Sequence, residues 1–572
     1  MASTVWVGVR AFLAKGELEA AVPVAELAQR AILVGDLSGA RAAADELAVH
    51  TSAAAALTGD PVWAAYESLP ILGPNLVVLH SLAASVDQVS SGAIRPLAEA
   101  SSGVDLGAFA PANGRIDLQP LIDLREPIQR AAAAFAIARA VVLRPEVSNA
   151  AVIGPLANAR DEYLAAIAPA ADALDALDRT MTLLPAMLGS GGPRETLVLF
   201  QNNAELRSLG GTSGSLALVR TEQGAISLEQ QASSGDFPQY DPPVVDLPLE
   251  TRALWGDNTA RFIQDVNFTP QFPLTSTIAR EMWKREFGTE VQAVVAVDPV
   301  AMSYVLRATG PISLANGDQL TADNAVSYLL VDVYAGNEAG AADAVFQDVT
   351  SRVFDALMSG SADPAKLVEA LARAGAERRI LVWNVDASEQ AILDGTTLAG
   401  ALPQGDADHQ AFGVYLNDMT GSKMDTYLGV EISTGVTTCR NDGLPLYEVH
   451  VKLTNNAPAD AATSLPAYVT GAGEHGTPPG QIATTIHVYG ERGSYNLGVL
   501  LDDQPVGYHP TSDSGYTLSK VVSRLAPGQT ATYRFGFLGG TAGEKTPVVS
   551  ATPLIATNVV EGVALSCESA VW

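Results

Sequence analysis

The chain has 572 residues, too many for one hydrophobic core, so about two to four domains are expected. A formal charge of −29 and a pI near 4.5 argue against nucleic acid, whose phosphates need a basic surface, and against adhesion to anionic lipid. Charged residues make up only 17% and hydrophobic residues 48%, the balance of a folded chain whose acidity serves solubility.

Residues 1–190 are rich in Ala and Leu with helical periodicity. One long pattern covers 5–34, and Asp36 with Ser38 marks the start of a second that runs to about Leu57. Asp60-Pro61 and Pro70-Ile71-Leu72-Gly73-Pro74 punctuate the region, and further helices are predicted over 75–101, 121–143 and 148–188. The result is a helical bundle without a chemistry-bearing constellation; His50 and His80 stand alone and read as surface or packing residues. No apolar run reaches the ~18 residues of a membrane span. Met1-Ala2-Ser3-Thr4-Val5-Trp6 enters the helical pattern without signal-peptide organisation, so a native leader or anchor is expected to be missing here.

Residues 191–410 mix strand and helix. Strands are predicted over 197–200, 216–220, 225–230 and 291–297, and helices over 273–287, 300–309 and 343–357. Gly310-Pro311-Ile312 and Asn316-Gly317-Asp318 mark a strand and turn, and Thr321-Ala322-Asp323-Asn324 caps a short helix. Such alternation implies an α/β layer fold, with 361–410 as a bridge to the C-terminal region. From 411 to 572 the texture changes to short alternating runs, with strands at 446–453, 482–489, 495–501 and 529–537, as in an antiparallel β-sandwich. The only cysteines, Cys439 and Cys567, lie in this region without metal-type spacing. Either they form a disulfide joining the first and last strands of one domain, as suits an exported protein, or they are two buried thiols.

The most informative stretch runs from Phe200 to Ser215. An apolar strand, 196–200, breaks off into Asn202-Asn203-Ala204-Glu205-Leu206-Arg207, then a Gly210-Gly211 turn and a second apolar run. Open α/β sheets place ligand sites at such strand ends, and two amides, an acid and a base suit a hydroxyl-rich ligand that needs donors and acceptors together.

These residues resemble the signature of a large envelope-protein family of actinobacteria and other bacteria, a domain of unknown function numbered 4012. Further matches are Gln264-Asp265-Val266-Asn267 with Phe272-Pro273, Val297-Asp298-Pro299, Thr309-Gly310-Pro311, Leu320 to Asn324, and Asn417 with Lys423-Met424-Asp425. The resemblance extends over most of the chain and implies an N-terminal membrane anchor. The middle region also resembles the LytR–CpsA–Psr fold, whose members transfer lipid-linked glycans using magnesium and arginines. Where those transferases carry an Arg-rich segment, this chain reads Asp332 to Asp348 with acids and no basic residue before Arg352. Acids there would repel a pyrophosphate, so an uncharged sugar chain is the expected substrate.

Glycosidic bonds are cleaved by two carboxyl groups, one protonated and one ionised. The acids in the matching segments are Glu205, Asp265, Asp332, Glu338 and Asp343. Glu205 and Asp265, each at a predicted strand end beside amides, are the expected acid and nucleophile or base; the alternative is that Glu205 locks onto Arg207 or Arg261. Asn202, Asn203, Arg207, Asn267, Arg261 and Asp332 are expected to bind substrate. Tyr240, Trp255 and Phe268 are candidate stacking platforms for sugar rings. Asn417, Lys423 and Asp425 are expected to reach back into the cleft; the alternative is an inter-domain ion pair between Lys423 and Asp425. No metal spacing, Gly-x-Ser-x-Gly elbow, P-loop or dinucleotide fingerprint is present.

The expectation is therefore a multidomain α+β protein: an N-terminal helical bundle (1–190), a central α/β LytR–CpsA–Psr-like domain (191–410) and a C-terminal antiparallel β-sandwich (411–572). Its expected function is extracellular or cell-surface glycan processing, as a glycoside hydrolase or transglycosylase on a bacterial polysaccharide, with mycobacterial-type arabinan and galactan among the candidates. No cofactor is expected. The alternatives are a glycan phosphotransferase using Mg²⁺ and a pyrophosphate-linked donor, and a non-catalytic glycan-binding protein. The expected partner is a poly- or oligosaccharide, with no nucleic acid and no membrane contact except through an anchor.

Overall fold

The computed structural model describes residues 2–33, 36–101, 110–112, 114–148, 150–334 and 341–568. Two compact units emerge: Met1–Phe109 with Ile116–Gly191, and Ala110–Arg115 with Gly192–Trp572. Among the described residues, no helix is long and apolar enough to cross a membrane.

The first unit is helical, with long helices at Ala2–Leu33, Leu37–Thr58, Leu72–Val89, Gln119–Val142 and Gly154–Met187. Local chemistry sets their starts. Asp36 caps the second helix by accepting from the Gly39 amide at 2.9 Å, and Asp60 caps Pro61–Glu67 through Val62 and Trp63. The last helix begins six residues later than expected because Pro155 occupies its first turn, where a missing N–H costs nothing. The predicted helix at 75–101 is interrupted by a π-turn at Ser90–Ile94. Gly92 lies in that turn, where a Cβ would come 2.9 Å from the Ala134 methyl of a neighbouring helix. Small residues make such close approach general here: Ala93, Ala131, Ala134 and Ala138 share a core with Val89, Phe135 and Ile167. His50 pairs with Glu17 at 2.7 Å and His80 with Glu67 at 2.8 Å.

The second unit contains eighteen strands among the described residues. The first group is β1 (Arg194–Asn202), β2 (Thr212–Glu222), β3 (Ala225–Ser233), β4 (Ala293–Val297), the short β5 (Ile312–Ser313) and β6 (Gln319–Leu320), and β7 (Ile380–Asn384). β3-β2-β1-β4-β7 form a mixed sheet in which β1 and β4 run parallel and the other neighbours antiparallel. Leu197, Leu199, Leu216 and Val294 share a core with Ile278, Met282 and Trp283 of helix Phe272–Phe287. β7 corrects the expectation of a bridge over 361–410: its residues pair with β4, Val295 opposite Val382, and extend the sheet.

The second group is β8 (His409–Asp418), β9 (Leu428–Thr437), β10 (Leu446–Asn455), β11 (Ile482–Gly490), β12 (Tyr495–Leu501), β13 (Gln504–Pro505), β14 (His509–Asp513), β15 (Tyr516–Leu525), β16 (Thr530–Leu538), β17 (Thr546–Ala551) and β18 (Val560–Gly562). They make two sheets, β13-β12-β16-β10-β9-β18 and β14-β15-β11-β8-β17, antiparallel except where β17 joins β8 and β18 joins β9. Phe412, Leu416, Ile486 and Val488 of one sheet share a core with Tyr447, Val451, Phe535 and Phe537 of the other. Leu206, from the polar motif after β1, is part of that same core.

Cys439 and Cys567 are joined by a disulfide that closes 128 residues of chain and ties the end of β9 to the segment after β18. Replacing both with serine is expected to lower stability by roughly 3–5 kcal/mol on the chain-entropy model, read as a shift in thermal midpoint that reductant reproduces in the wild type.

Candidate active site

The end of β1 forms a cavity wall. Pairing with β2 slips between Phe200 and Gln201, a β-bulge, and Phe200, Gln201 and Asn202 all face one cavity of about 250 Å³. Regular alternation would have turned Gln201 away. Glu205 enters from the turn after β1, Thr212 from the start of β2, and Asp298 from the end of β4. Helix Ala341–Met358 adds Asp343 and Phe346, and the strand-rich segment adds Lys423 and Tyr468. Tyr334 completes an aromatic side, its ring 5.5 Å from Tyr468 and 6.3 Å from Phe346.

Glu205 is held from both sides. Its Oε2 accepts from Lys423 Nζ at 2.6 Å and its Oε1 from Arg207 at 2.9 Å. Burial pushes this carboxyl up, but Lys423 and Arg207 together outweigh burial and hold it at about 2. Asp265 shares the guanidinium at 3.1 Å yet is raised by burial, which Arg207 only partly offsets. Glu205 is thus the ionised member of the expected pair, and the role of general acid does not suit it. Asp265 does not line the cavity, although its neighbour Gln264 does.

Asp343 behaves in the opposite way to Glu205. Burial raises it and nearby Asp236 adds to the effect, against a hydrogen bond from Ser233. Asp298 is also raised by burial despite its contact with Arg379 at 2.8 Å, and it caps helix Pro299–Thr309 through the Ala301 amide.

The other polar residues of the motif hold backbone. Asn203 Nδ2 donates to the carbonyls of Gly210 and Pro553 and to Asp298, and Asn267 Nδ2 donates to the Gly211 carbonyl and Ser213. Asn417 accepts from the Ser208 amide at 3.0 Å, and Asp425 accepts from the Leu206 amide at 2.7 Å. Arg207 lies over the Phe268 ring at 4.5 Å and also donates to the Leu206 carbonyl. Asn202 is the exception, lining the cavity while it donates to the Tyr334 hydroxyl and accepts from the Ala204 amide.

The remaining expected residues lie away from the cavity. Arg261 donates to the Tyr240 carbonyl and pairs with Asp241 at 3.7 Å, and Asp332 is exposed. Trp255 packs on His487 with centroids 4.1 Å apart, and Tyr240 reaches the Met282 carbonyl, so the aromatic side of the cavity is built from other rings. Glu338 lies outside the described residues. Phe346 and Tyr468 are cavity residues that sequence reasoning misses, and Gln201, inside the singled-out stretch, is given no role there; for Tyr468 the sequence holds no signal, since 468 and 202 meet only through folding.

Residues 191–334 match the family described as "Protein of unknown function (DUF4012)". The matched segment carries the β1 motif and Tyr334, and ends before Asp343, Lys423 and Tyr468. No curated protein matches the chain. Among solved structures, a transcriptional regulator from Enterococcus faecalis is similar at 10% identity over 37% of this chain and 73% of its own, with a TM-score of 0.24. The Lin1025 protein from Listeria innocua is similar at 10% identity over 45% of this chain and 90% of its own, with a TM-score of 0.22. Likeness at that level defines neither a shared fold nor a shared activity.

Proposed function

We propose that the cavity processes a neutral glycan, as a glycoside hydrolase or transglycosylase acting on a bacterial polysaccharide outside the cell. The observation that carries this reading is the presence on one cavity of two carboxyl groups shifted in opposite directions: Glu205 lowered by Lys423 and Arg207, and Asp343 raised by burial. In this chemistry Asp343 protonates the leaving oxygen and Glu205 acts as nucleophile or base. Tyr334, Tyr468 and Phe346 offer faces for sugar C–H groups, and the disulfide suits an oxidising compartment. The reading takes the mixed sheet as LytR–CpsA–Psr-like and the two facing sheets as a β-sandwich.

The phosphotransferase alternative fits less well. Among the described residues no arginine lines the cavity, Lys423 is engaged by Glu205, and no group of three or more His, Cys, Asp or Glu is placed to hold a metal. The residues present do not fit a magnesium-pyrophosphate site.

Arabinan, galactan and mannan are the polymers to test, with released oligosaccharides as the readout. Because Asp343 must carry its proton, kcat/KM is expected to fall as pH rises and that carboxyl ionises. Asp343→Asn is expected to lower the rate about 10²-fold and to abolish this alkaline limb. An unaltered pH profile in that variant would remove Asp343 from the mechanism. Tight oligosaccharide binding without turnover would favour the non-catalytic alternative.

A further inference from the structure

Gln201 is 3% exposed, yet its carboxamide Nε2 has no hydrogen-bond partner among the described residues. A buried donor without an acceptor is unfavourable, and native proteins retain few of them without a reason. Here the bulge after Phe200 brings the side chain to the cavity wall. Gly210 preserves its place: it has a φ of +136°, and a Cβ there would lie 2.4 Å from Gln201 Oε1. Any larger residue would displace the carboxamide.

The neighbouring groups define what this donor can meet. Asn202 is already engaged by Tyr334 and the Ala204 amide. Glu205 is compensated by Lys423, and Asp298 by Arg379. An unpartnered amide donor thus sits at the wall beside Glu205 and Asp298, whose charges are already paired, and Asp343, which accepts from Ser233; a neutral oxygen acceptor fits it and an anion does not.

We propose that Gln201 is a ligand-binding residue whose Nε2 donates to a hydroxyl or ring oxygen of a single sugar unit held beside Glu205. The inference rests on the glycan reading above and names a residue that fixes the substrate's orientation. A site built around such a donor rejects analogues lacking the acceptor, because the amide is then left buried and unpaired.

The test is calorimetric titration of the whole chain with oligosaccharide fractions prepared from arabinan, galactan and mannan, together with thermal midpoints. The wild type is expected to bind at least one fraction. Gln201→Met, close in shape but without the donor, is expected to bind it about 10- to 100-fold more weakly while melting at or above the wild-type temperature. Gln201→Glu, which replaces the donor with an acceptor, is expected to lose at least as much affinity. Wild-type affinity in both variants overturns the proposal, as does an unfolded or markedly destabilised Gln201→Met, because either result makes the glutamine structural. A wild-type protein that binds no fraction and releases nothing from the parent polymers removes the glycan reading, and this inference with it.

Discussion

Replacing Arg207 with alanine is expected to lower unfolding free energy by about 3–5 kcal/mol, because it strips one cation from two buried acids at once. Glu205 would retain Lys423, but Asp265, already raised by burial, would lose the guanidinium that offsets it. The Leu206 carbonyl and the Phe268 ring would lose their partner as well. Arg207→Lys is expected to recover only part of the loss: Nη2 serves both carboxylates, but Nη1 holds the Leu206 carbonyl and the planar group covers Phe268, which a single ammonium does not reproduce. Adding Asp265→Asn to the alanine variant is expected to restore some stability by removing the unpaired charge. Urea unfolding of the three variants checks this; a loss under about 1 kcal/mol in Arg207→Ala would show that the network is not a lock.

Glu205→Gln is expected to reduce turnover of the cleaved polysaccharide by about 10³–10⁴-fold while leaving a folded protein. The amide keeps the volume and still accepts hydrogen bonds, but it carries no negative charge to attack or to stabilise a cationic transition state. The same change has a signature in stability. Glu205 sits at about 2 in the folded chain, below the ordinary glutamate value of 4.5. Its ionised form is therefore favoured by folding. That contribution is fully present above about pH 4.5 and is lost as pH falls through the folded value near 2. Glu205→Gln is expected to flatten the stability profile across this acidic window. Unchanged activity in a folded variant would remove Glu205 from the chemistry; an unchanged acid profile would remove the electrostatic account of its environment.

Most of the secondary structure is legible from periodicity. The helix at 273–287 and the strand at 495–501 match Phe272–Phe287 and Tyr495–Leu501 to within a residue, because each buries one face against a core. Asp36 announces a helix start for a local reason, a side-chain oxygen that satisfies an amide within its own turn; Asp60, which reads as punctuation, and Asp298, which reads as a strand end, cap helices in the same way. β7 is less legible, since Ile380 to Trp383 could pair with any strand and the chain alone does not say that β4 has a free edge.

Within the motif, residue type points to the right neighbourhood and misassigns several duties. Asn203, Asn267 and Asn417 read as groups for sugar hydroxyls, yet each holds a backbone turn, as a buried amide must when loops with unpaired N–H and C=O groups pack together. Leu206, inside this polar motif, belongs to the core between the two strand-rich sheets. Both outcomes arise because the turn after β1 is wedged against residues far along the chain, Asn417 and Asp425.

Composition, hydrophobic period and capping signals thus suffice for the helical first unit, some of the strand positions and the importance of the 201–211 turn, since all of these depend on interactions within a few residues of one another. Which acid is ionised, which amide keeps a free donor and which aromatic rings face the cavity depend on contacts between distant segments. Lys423 on Glu205, the bulge beneath Gln201 and Tyr468 against Tyr334 exist only once the chain has folded, and burial beside a particular charge sets protonation more strongly than residue type does.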